Sequence, residues 1–354
     1  MKTFVTGATG LLGNNLVRTL LDAGHDVTAL ARSKDKAARQ LGDTRAQIVV
    51  GDMTDVAGFA NALSGVDVVF HTAAFFREYF APGDHSKVVD HVNVNATMDL
   101  ARAAQERGVA KMVHTSSSGL IGLKPDGSPG DETTPPWAGA EKNLYLRSKR
   151  KVDVLLNEFA TEKGFFIATA LPAWMWGPRD AGPTASGQLA LDALHGKLPP
   201  AIPPGGSSTV DARDVAAGML RIAEVGRSGE RYLLSGRFVE LAEIVKQLAS
   251  LTGVKAPTAR MPYAVALALA ASAELWSRIT HQQSPLSLEG IRIMNARLTV
   301  TAAKAERELG VSFRPFEQTL ADTVAWFKSR QPGQLKSGAV KAPPLQTARQ
   351  SSSP

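Results

Sequence analysis

Tyr145 and Lys149 stand four residues apart in Tyr-Leu-Arg-Ser-Lys, a spacing that puts a phenol and an ammonium on one face of a helix. Reducing a carbonyl requires a proton donor beside the carbon that receives hydride. A phenol ordinarily holds its proton too tightly for the task at neutral pH, and a neighbouring ammonium favours the phenolate. Tyr145 is the only one of the four tyrosines with a lysine at that position. The pair alone is also what an exposed stacking contact on a helix would look like. Its weight comes from an upstream hydroxyl cluster, Thr115-Ser116-Ser117-Ser118, which closes an apolar run. A hydroxyl at the carboxyl end of a strand can hydrogen-bond a substrate oxygen as charge builds on it, although such clusters also cap and turn chains.

A second constellation opens the chain. Thr6-Gly7-Ala8-Thr9-Gly10-Leu11-Leu12-Gly13 follows the β-branched run Thr3 to Thr6 and leads into a pattern with Leu12, Leu16 and Leu20 at spacing four. In that strand-to-helix setting the glycines have separate tasks. Gly7 permits the tight turn, Gly10 lets backbone approach a pyrophosphate, and Gly13 lets the helix pack close to the strand, with the helix N-terminus facing the anion. The residue that selects between nicotinamide cofactors is expected after the second strand. That stretch reads Leu30-Ala31-Arg32, with no acid to hold a ribose 2′-hydroxyl. Arg32 suits a 2′-phosphate, which favours NADP(H) and leaves NAD(H) possible, unless it is only a solvated surface arginine.

Positioning these groups takes repeated βαβ units. Strands are predicted at Thr3 to Thr6, Asp26 to Leu30, Gln47 to Val50, Asp67 to His71, Lys111 to Thr115 and Phe165 to Leu171. Helices are predicted at Leu12 to Ala23 and at about Leu144 to Lys163, the latter stopped by Gly164. The fold class is therefore α/β, a doubly wound parallel sheet of Rossmann type with a smaller mixed C-terminal lobe. Residues 1–171 are assigned mainly to the dinucleotide-binding domain and 172–330 mainly to a substrate lobe. Residues 331–354, rich in Pro, Ser, Gly and Gln, are expected to be a disordered tail.

Composition narrows the classes. With 44% apolar residues a chain of this length can bury a core unaided, and with no cysteine it has neither disulfides nor thiolate chemistry. No metal site is expected. Of the net charge of +7, three units lie in the last 24 residues, and there is no basic stripe of the kind nucleic-acid binding needs. The chain opens on a structural strand rather than a signal sequence, so a cytoplasmic location is expected. The apolar stretch Ala264 to Ala271 is too short to span a bilayer and reads as a buried or interfacial helix.

Further motifs complete the pattern: Gly51-Asp52-Met53-Thr54-Asp55, His71-Thr72-Ala73-Ala74, Asn93-Val94-Asn95-Ala96-Thr97, Pro172 to Pro178, and Val210-Asp211-Ala212-Arg213-Asp214-Val215-Ala216. Over residues 1–330 the chain resembles the extended short-chain dehydrogenase/reductase superfamily, and within it the dihydroflavonol 4-reductase group and hopanoid-associated sugar epimerases. The resemblance implies Ser117 as catalytic serine, Tyr145 as acid and Lys149 as its activator and ribose ligand. It also implies cofactor contacts from Thr6, Gly7, Thr9, Gly10, Leu11, Leu12, Gly13, Arg32, Asp52, Met53, Thr72, Ala73, Ala74, Asn93, Thr115, Tyr145, Lys149, Pro172 and Trp174. Asp52 would meet the adenine and the Pro172 to Trp174 backbone the nicotinamide. A homodimer through about Thr97 to Gly108 and Leu144 to Lys163 is likewise implied. His114, Trp174, Trp176 and Arg179 depart from the family's usual pattern, and His114 reads as a packed sheet residue.

Phe75, Phe76, Tyr79 and Phe80, with Trp137, Trp174 and Trp176, are candidates for an apolar substrate pocket, or for packing between the lobes. Asp126 to Pro136 is expected to be a mobile loop over the site. The expected activity is NADPH-dependent reduction of a largely apolar ketone or aldehyde. Three alternatives stand beside it: an NAD-dependent nucleotide-sugar epimerase or dehydratase using the same triad, a 3β-hydroxysteroid or 3-hydroxyacyl dehydrogenase, and a non-catalytic NADP sensor. Arg179 and Arg213 are the arginines available for a sugar diphosphate.

Overall fold

The computed structural model describes residues 1–76, 85–280 and 287–330. Tyr79, Phe80 and the tail from residue 331 lie outside the described residues. The chain opens β1 (Lys2–Thr6), α1 (Leu11–Asp22), β2 (Asp26–Ala31), α2 (Lys34–Leu41), β3 (Gln47–Val50), β4 (Val68–His71). It continues with α3 (Ser86–Val89), α4 (Ala96–Glu106), β5 (Lys111–Thr115), α5 (Leu144–Lys163) and β6 (Phe166–Pro172). The six predicted strands fall within a residue of these bounds. The later part comprises β7 (Trp174–Trp176), α6 (Ala185–Leu194), β8 (Ala201–Ile202), β9 (Gly206–Asp211), α7 (Ala212–Val225), β10 (Arg231–Leu234), β11 (Phe238–Glu240), α8 (Leu241–Thr252) and β12 (Ala259–Arg260). Four helices follow: α9 (Tyr263–Thr280), α10 (Leu288–Ala296), α11 (Ala303–Leu309) and α12 (Phe316–Ser329).

Seven strands form one parallel sheet in the order β10-β6-β5-β4-β1-β2-β3. The order reverses between β1 and β4, and a crevice at the carboxyl ends of the strands belongs at such a switch point. Both faces of the sheet are covered, which is why its strands are apolar almost throughout. On one face Leu12, Leu16 and Leu20 of α1 pack with Val215, Met219 and Ile222 of α7. On the other, Leu100 and Ala101 of α4 and Val152, Leu156 and Phe159 of α5 pack against Phe4, Val69, Met112 and Ile167.

The later half of the chain is not confined to a separate lobe. It returns to the large sheet with α7 and with β10, which pairs Arg231 to Thr169 through Leu234 to Pro172. The three-stranded sheet β11-β9-β7, with α6, α8 and α12, encloses its own core around Trp176, Ile244, Leu248, Leu320 and Phe327. Trp176 is completely buried and meets Trp174 and Phe316 edge to face. It is therefore lobe core, and the expectation that it lines a substrate pocket is corrected.

The turn between β1 and α1 depends on close approach. Gly7 has φ 67°, and a Cβ there would lie 2.7 Å from the Ala73 amide nitrogen and the Thr72 hydroxyl. A Cβ on Gly13 would lie 2.2 Å from the Gly7 carbonyl oxygen, whereas one on Gly10 would meet nothing nearer than 3.4 Å. Gly13→Ala is thus expected to cost about 1–3 kcal/mol by overpacking, and Gly10→Ala less than about 1 kcal/mol. Urea titrations of the two variants check the contrast, and equal losses would contradict it.

Candidate active site

The proposed site residues lie at and beyond the carboxyl ends of β1 to β6 and on the opening turns of α1 and α5. Gly10 is the N-cap of α1, and no side chain accepts a hydrogen bond from the first turn. Those amides and the open face over Gly10 make a cradle for an anion, as a dinucleotide pyrophosphate requires. Arg32 is exposed immediately after β2, beside Ser33, whose hydroxyl caps α2 by accepting from the Lys36 amide. Asp52 follows β3 and turns the chain by accepting from the amide and hydroxyl of Thr54, at 2.9 and 3.0 Å.

Several predicted cofactor contacts have side chains occupied elsewhere. The Thr6 hydroxyl is buried against His71 Nδ1 at 2.7 Å, and the Thr72 hydroxyl donates to the Thr6 carbonyl at 2.7 Å, tying β4 to β1. Met53 is buried in the core beside Leu30 and Phe59. Asn93 lies in a π-helical turn, Asp90–Asn95. Its amide oxygen accepts from the Phe75 nitrogen at 2.7 Å, and its nitrogen donates to the Phe75 carbonyl and the Ser148 hydroxyl. It thereby clamps the segment after β4 to α5. Ala73 and Ala74 are accessible beyond β4, and Pro172 closes β6 just before the half-buried Trp174.

The hydroxyl cluster resolves into different tasks. Thr115 and Ser116 are buried and Ser117 is half-exposed. The Thr115 carbonyl accepts from Lys149 Nζ at 2.7 Å. Ser116 Oγ donates to Asp153 Oδ2 at 2.6 Å, whereas Ser117 Oγ accepts from the Gly119 amide at 3.1 Å and stays at the surface of the cleft. Asn143 caps α5 by accepting from the Leu146 amide, so Tyr145 sits in the first turn. Lys149, buried one turn on, holds its ammonium 5.8 Å from the centroid of the tyrosine ring.

Around Tyr145 the walls are apolar. Phe76 meets its ring edge-on at 4.5 Å between centroids. Tyr145, Trp137 and Ile293 each pack against the buried cluster of Leu120, Ala140 and Leu146, and the Trp137 indole donates to the Gly119 carbonyl at 2.9 Å. The segment 126–136 is pinned, contrary to the expectation of a mobile cover. Gly130 exchanges backbone hydrogen bonds with Thr299 and Thr301, Glu132 accepts from the Leu233 amide at 2.7 Å, and Lys124 pairs with Asp131 at 2.7 Å.

Beneath the catalytic groups lies a buried layer that the sequence reading did not assign to the site. His114 is fully buried, stacks on His71 at 5.5 Å and places Nε2 3.6 Å from Asp153 Oδ1. Burial, and then the Lys149 charge, pull both imidazoles down, His71 to about 3, so both are neutral. Burial pushes the Asp153 carboxyl up to about 6, against the pull of the Ser116 hydrogen bond and of Lys149. The available signal was spacing, since Asp153 lies four residues past Lys149 on the same helical face.

Arg213 is occupied. It pairs with Asp211 at 2.7 Å and Asp322 at 2.6 Å, and those two carboxylates hold its guanidinium charged. Arg179 is partly buried at φ 75°.

With this geometry in place, the comparisons are specific. Residues 3–235 match the profile of the NAD dependent epimerase/dehydratase family. The chain belongs to that family. Its members' chemistry makes it an NAD(P)-dependent enzyme acting on hydroxyl or carbonyl groups. The family member "Sterol demethylase protein B" of Methylococcus capsulatus is 34% identical over 93% of this chain and 99% of its own length. A Stigmatella aurantiaca ketoreductase, named for 4-hydroxy-2-methyl-3-oxo-4-farnesyl-3,4-dihydroquinoline-1-oxide, is 31% identical over 96% and 99%. A Synechocystis protein provisionally named a dihydroflavonol 4-reductase is 31% identical over 92% and 94%. The solved structure of gox2253 superposes with a TM-score of 0.79 at 32% identity, covering 95% of this chain and 99% of that one.

The raised carboxyl has a consequence for stability. In the unfolded chain Asp153 ionises near 3.8 and in the native family fold near 6, so raising the pH between those values favours unfolding. Asp153→Asn keeps the volume and an acceptor for Ser116 but removes the charge. Relative to the parent, its stability is expected to rise between pH 4 and pH 7 by up to about 3 kcal/mol. Denaturation curves across that range check this, and a pH-independent difference would contradict it.

Proposed function

We propose that the protein is an NADPH-dependent reductase of apolar ketones or aldehydes. The observation that carries this reading is the apolar setting of Tyr145, which meets Phe76 edge-on and shares with Trp137 and Ile293 the buried cluster of Leu120, Ala140 and Leu146. Arg213, a natural ligand for a sugar diphosphate, is meanwhile drawn into ion pairs with Asp211 and Asp322. The printed names of two relatives, a sterol demethylase protein and a farnesylated quinoline ketoreductase, point to large apolar substrates as well. The exposed Arg32 after β2 supports the 2′-phosphorylated cofactor.

The residues present fit a dinucleotide: the Gly7 to Gly13 turn for the pyrophosphate, Arg32 for the 2′-phosphate, Ala73 and the segment after Pro172 for the nicotinamide side. When bound, the reduced nicotinamide supplies hydride to the carbonyl carbon. Ser117 Oγ, half-exposed at the end of β5, donates a hydrogen bond to the carbonyl oxygen and fixes its direction. Tyr145 gives its phenolic proton to that oxygen as the alcohol forms. Lys149, held by the Thr115 carbonyl, stabilises the negative charge left on the phenol.

Tyr145→Phe removes only the proton donor, so kcat for NADPH oxidation with an aryl or steroid ketone is expected to fall about 10²–10⁴-fold. NADPH affinity should stay within about threefold, since a hydroxyl peripheral to the nucleotide contributes little to its binding. Retained turnover in that variant would overturn the role of Tyr145. The nucleotide-free protein is expected to bind NADPH at least about tenfold more tightly than NADH, a difference of about 1.4 kcal/mol. Arg32→Ser should abolish that preference without weakening NADH. Calorimetric titration of both proteins measures it, and an unchanged preference in the variant would remove Arg32 from the reading.

A further inference from the structure

The helix α9 is built inside out. Its outward face carries Val265, Leu269, Leu275, Trp276 and Ile279, with Leu275, Trp276 and Ile279 exposed by 61–67%. The remaining exposed positions among its described side chains are alanines, Tyr263 and Ser272, whose hydroxyl is turned back to the Ala268 carbonyl at 2.9 Å. Polar groups face inward instead: Ser277 is buried, and Glu274 accepts from the Leu288 amide at 2.7 Å. Water-facing helices have the opposite arrangement, and a contiguous apolar face of this kind marks a contact surface.

We infer that this face of α9 seats the enzyme on an anionic lipid bilayer, with the helix lying in the plane of the headgroups. Three observations favour a bilayer over a second copy of the chain. An 18-residue helix offers a face about 27 Å long and about 10 Å wide, roughly 300 Å², which falls well short of the roughly 800 Å² per partner of a stable protein interface. The exposed Arg260 lies three residues before the helix and the exposed Lys255 eight, and the whole chain carries +7, the sign that anionic headgroups attract. The face also backs onto the active site. Ile291 of α10 packs on Ala266 and Ala270 of α9, and Ile293, two residues on, packs against the Leu120, Ala140 and Leu146 cluster that Tyr145 and Trp137 also cover. A substrate dissolved in the bilayer would therefore meet the outer wall of the apolar cleft. Among the described residues no helix is long and apolar enough to cross the membrane, so the contact is peripheral.

The proposal stands apart from the reductase reading, because its test needs no turnover. The full chain is sedimented with vesicles of phosphatidylcholine containing about 30% phosphatidylglycerol, and with phosphatidylcholine alone. It is expected to pellet with the anionic vesicles, and Trp276→Glu or Leu269→Glu is expected to weaken binding at least about tenfold. Both variants change exposed side chains, so their melting temperatures and NADPH affinities should match the parent. No pelleting, or pelleting undiminished in both variants, would overturn the proposal. So would a concentration-dependent dimer that Trp276→Glu dissociates, since a second copy would then own the face.

Discussion

A buried ammonium must be compensated, and the compensation of Lys149 organises this active site. Its Nζ donates to the carbonyl of Thr115, the last residue of β5, and one helical turn further on Asp153 accepts from the hydroxyl of Ser116. Two polar links therefore lock α5 to the end of β5. Because Tyr145 precedes Lys149 by one turn and Ser117 follows Ser116 directly, fixing α5 on β5 also fixes the Tyr145 phenol relative to the Ser117 hydroxyl, the proposed proton donor and orienting group. Neutral His71 and His114 fill the layer beneath without adding charge. They leave the ammonium as the principal positive charge beneath the Tyr145 ring, 5.8 Å from its centroid, an arrangement that favours the proposed proton transfer.

The parts of the fold with strong local signals were legible in the sequence. The β-branched runs became β1 to β6 because a sheet covered on both faces selects continuous apolar stretches, and the helix 144–163 ended at Gly164, which takes φ 60°. The seventh strand was not legible. Arg231 to Leu234 is as long as β3 and β4 but lies outside the regular βαβ alternation of the first half, and its pairing with β6 depends on α7 first returning the chain across the sheet. Trp176 and segment 126–136 were misread for a related reason. An indole in a three-residue strand reads the same whether it faces a cleft or a core, and only the tertiary partners Phe316 and Leu233 decide that one is buried and the other segment pinned.

The candidate site divides in the same way. The glycine turn and the proximity of Tyr145, Lys149 and the Thr115 to Ser117 cluster were readable as positions because they combine residue type with fixed spacing, while the roles given to them remain part of the proposal. Thr6, Met53 and Asn93 lie in the right motifs, yet their side chains serve the frame: Thr6 bonds His71, Met53 fills the core, and Asn93 clamps Phe75 to Ser148. Family motifs thus mix groups that touch ligand with groups that hold the backbone in place. The outward apolar face of α9 lies outside those motifs, whereas Arg213 and its ion-pair partner Asp211 lie within Val210 to Ala216.

The reductase and epimerase chemistries share the same triad but treat the cofactor differently, since a reductase must exchange it every turnover and an epimerase regenerates it in place. The most direct measurement is to denature the freshly purified protein and identify the nucleotide it releases. The account predicts no stoichiometric NAD, and an empty site that NADPH fills and leaves reversibly. Stoichiometric NAD carried through purification would contradict it and would make the sugar epimerase the better description of this chain.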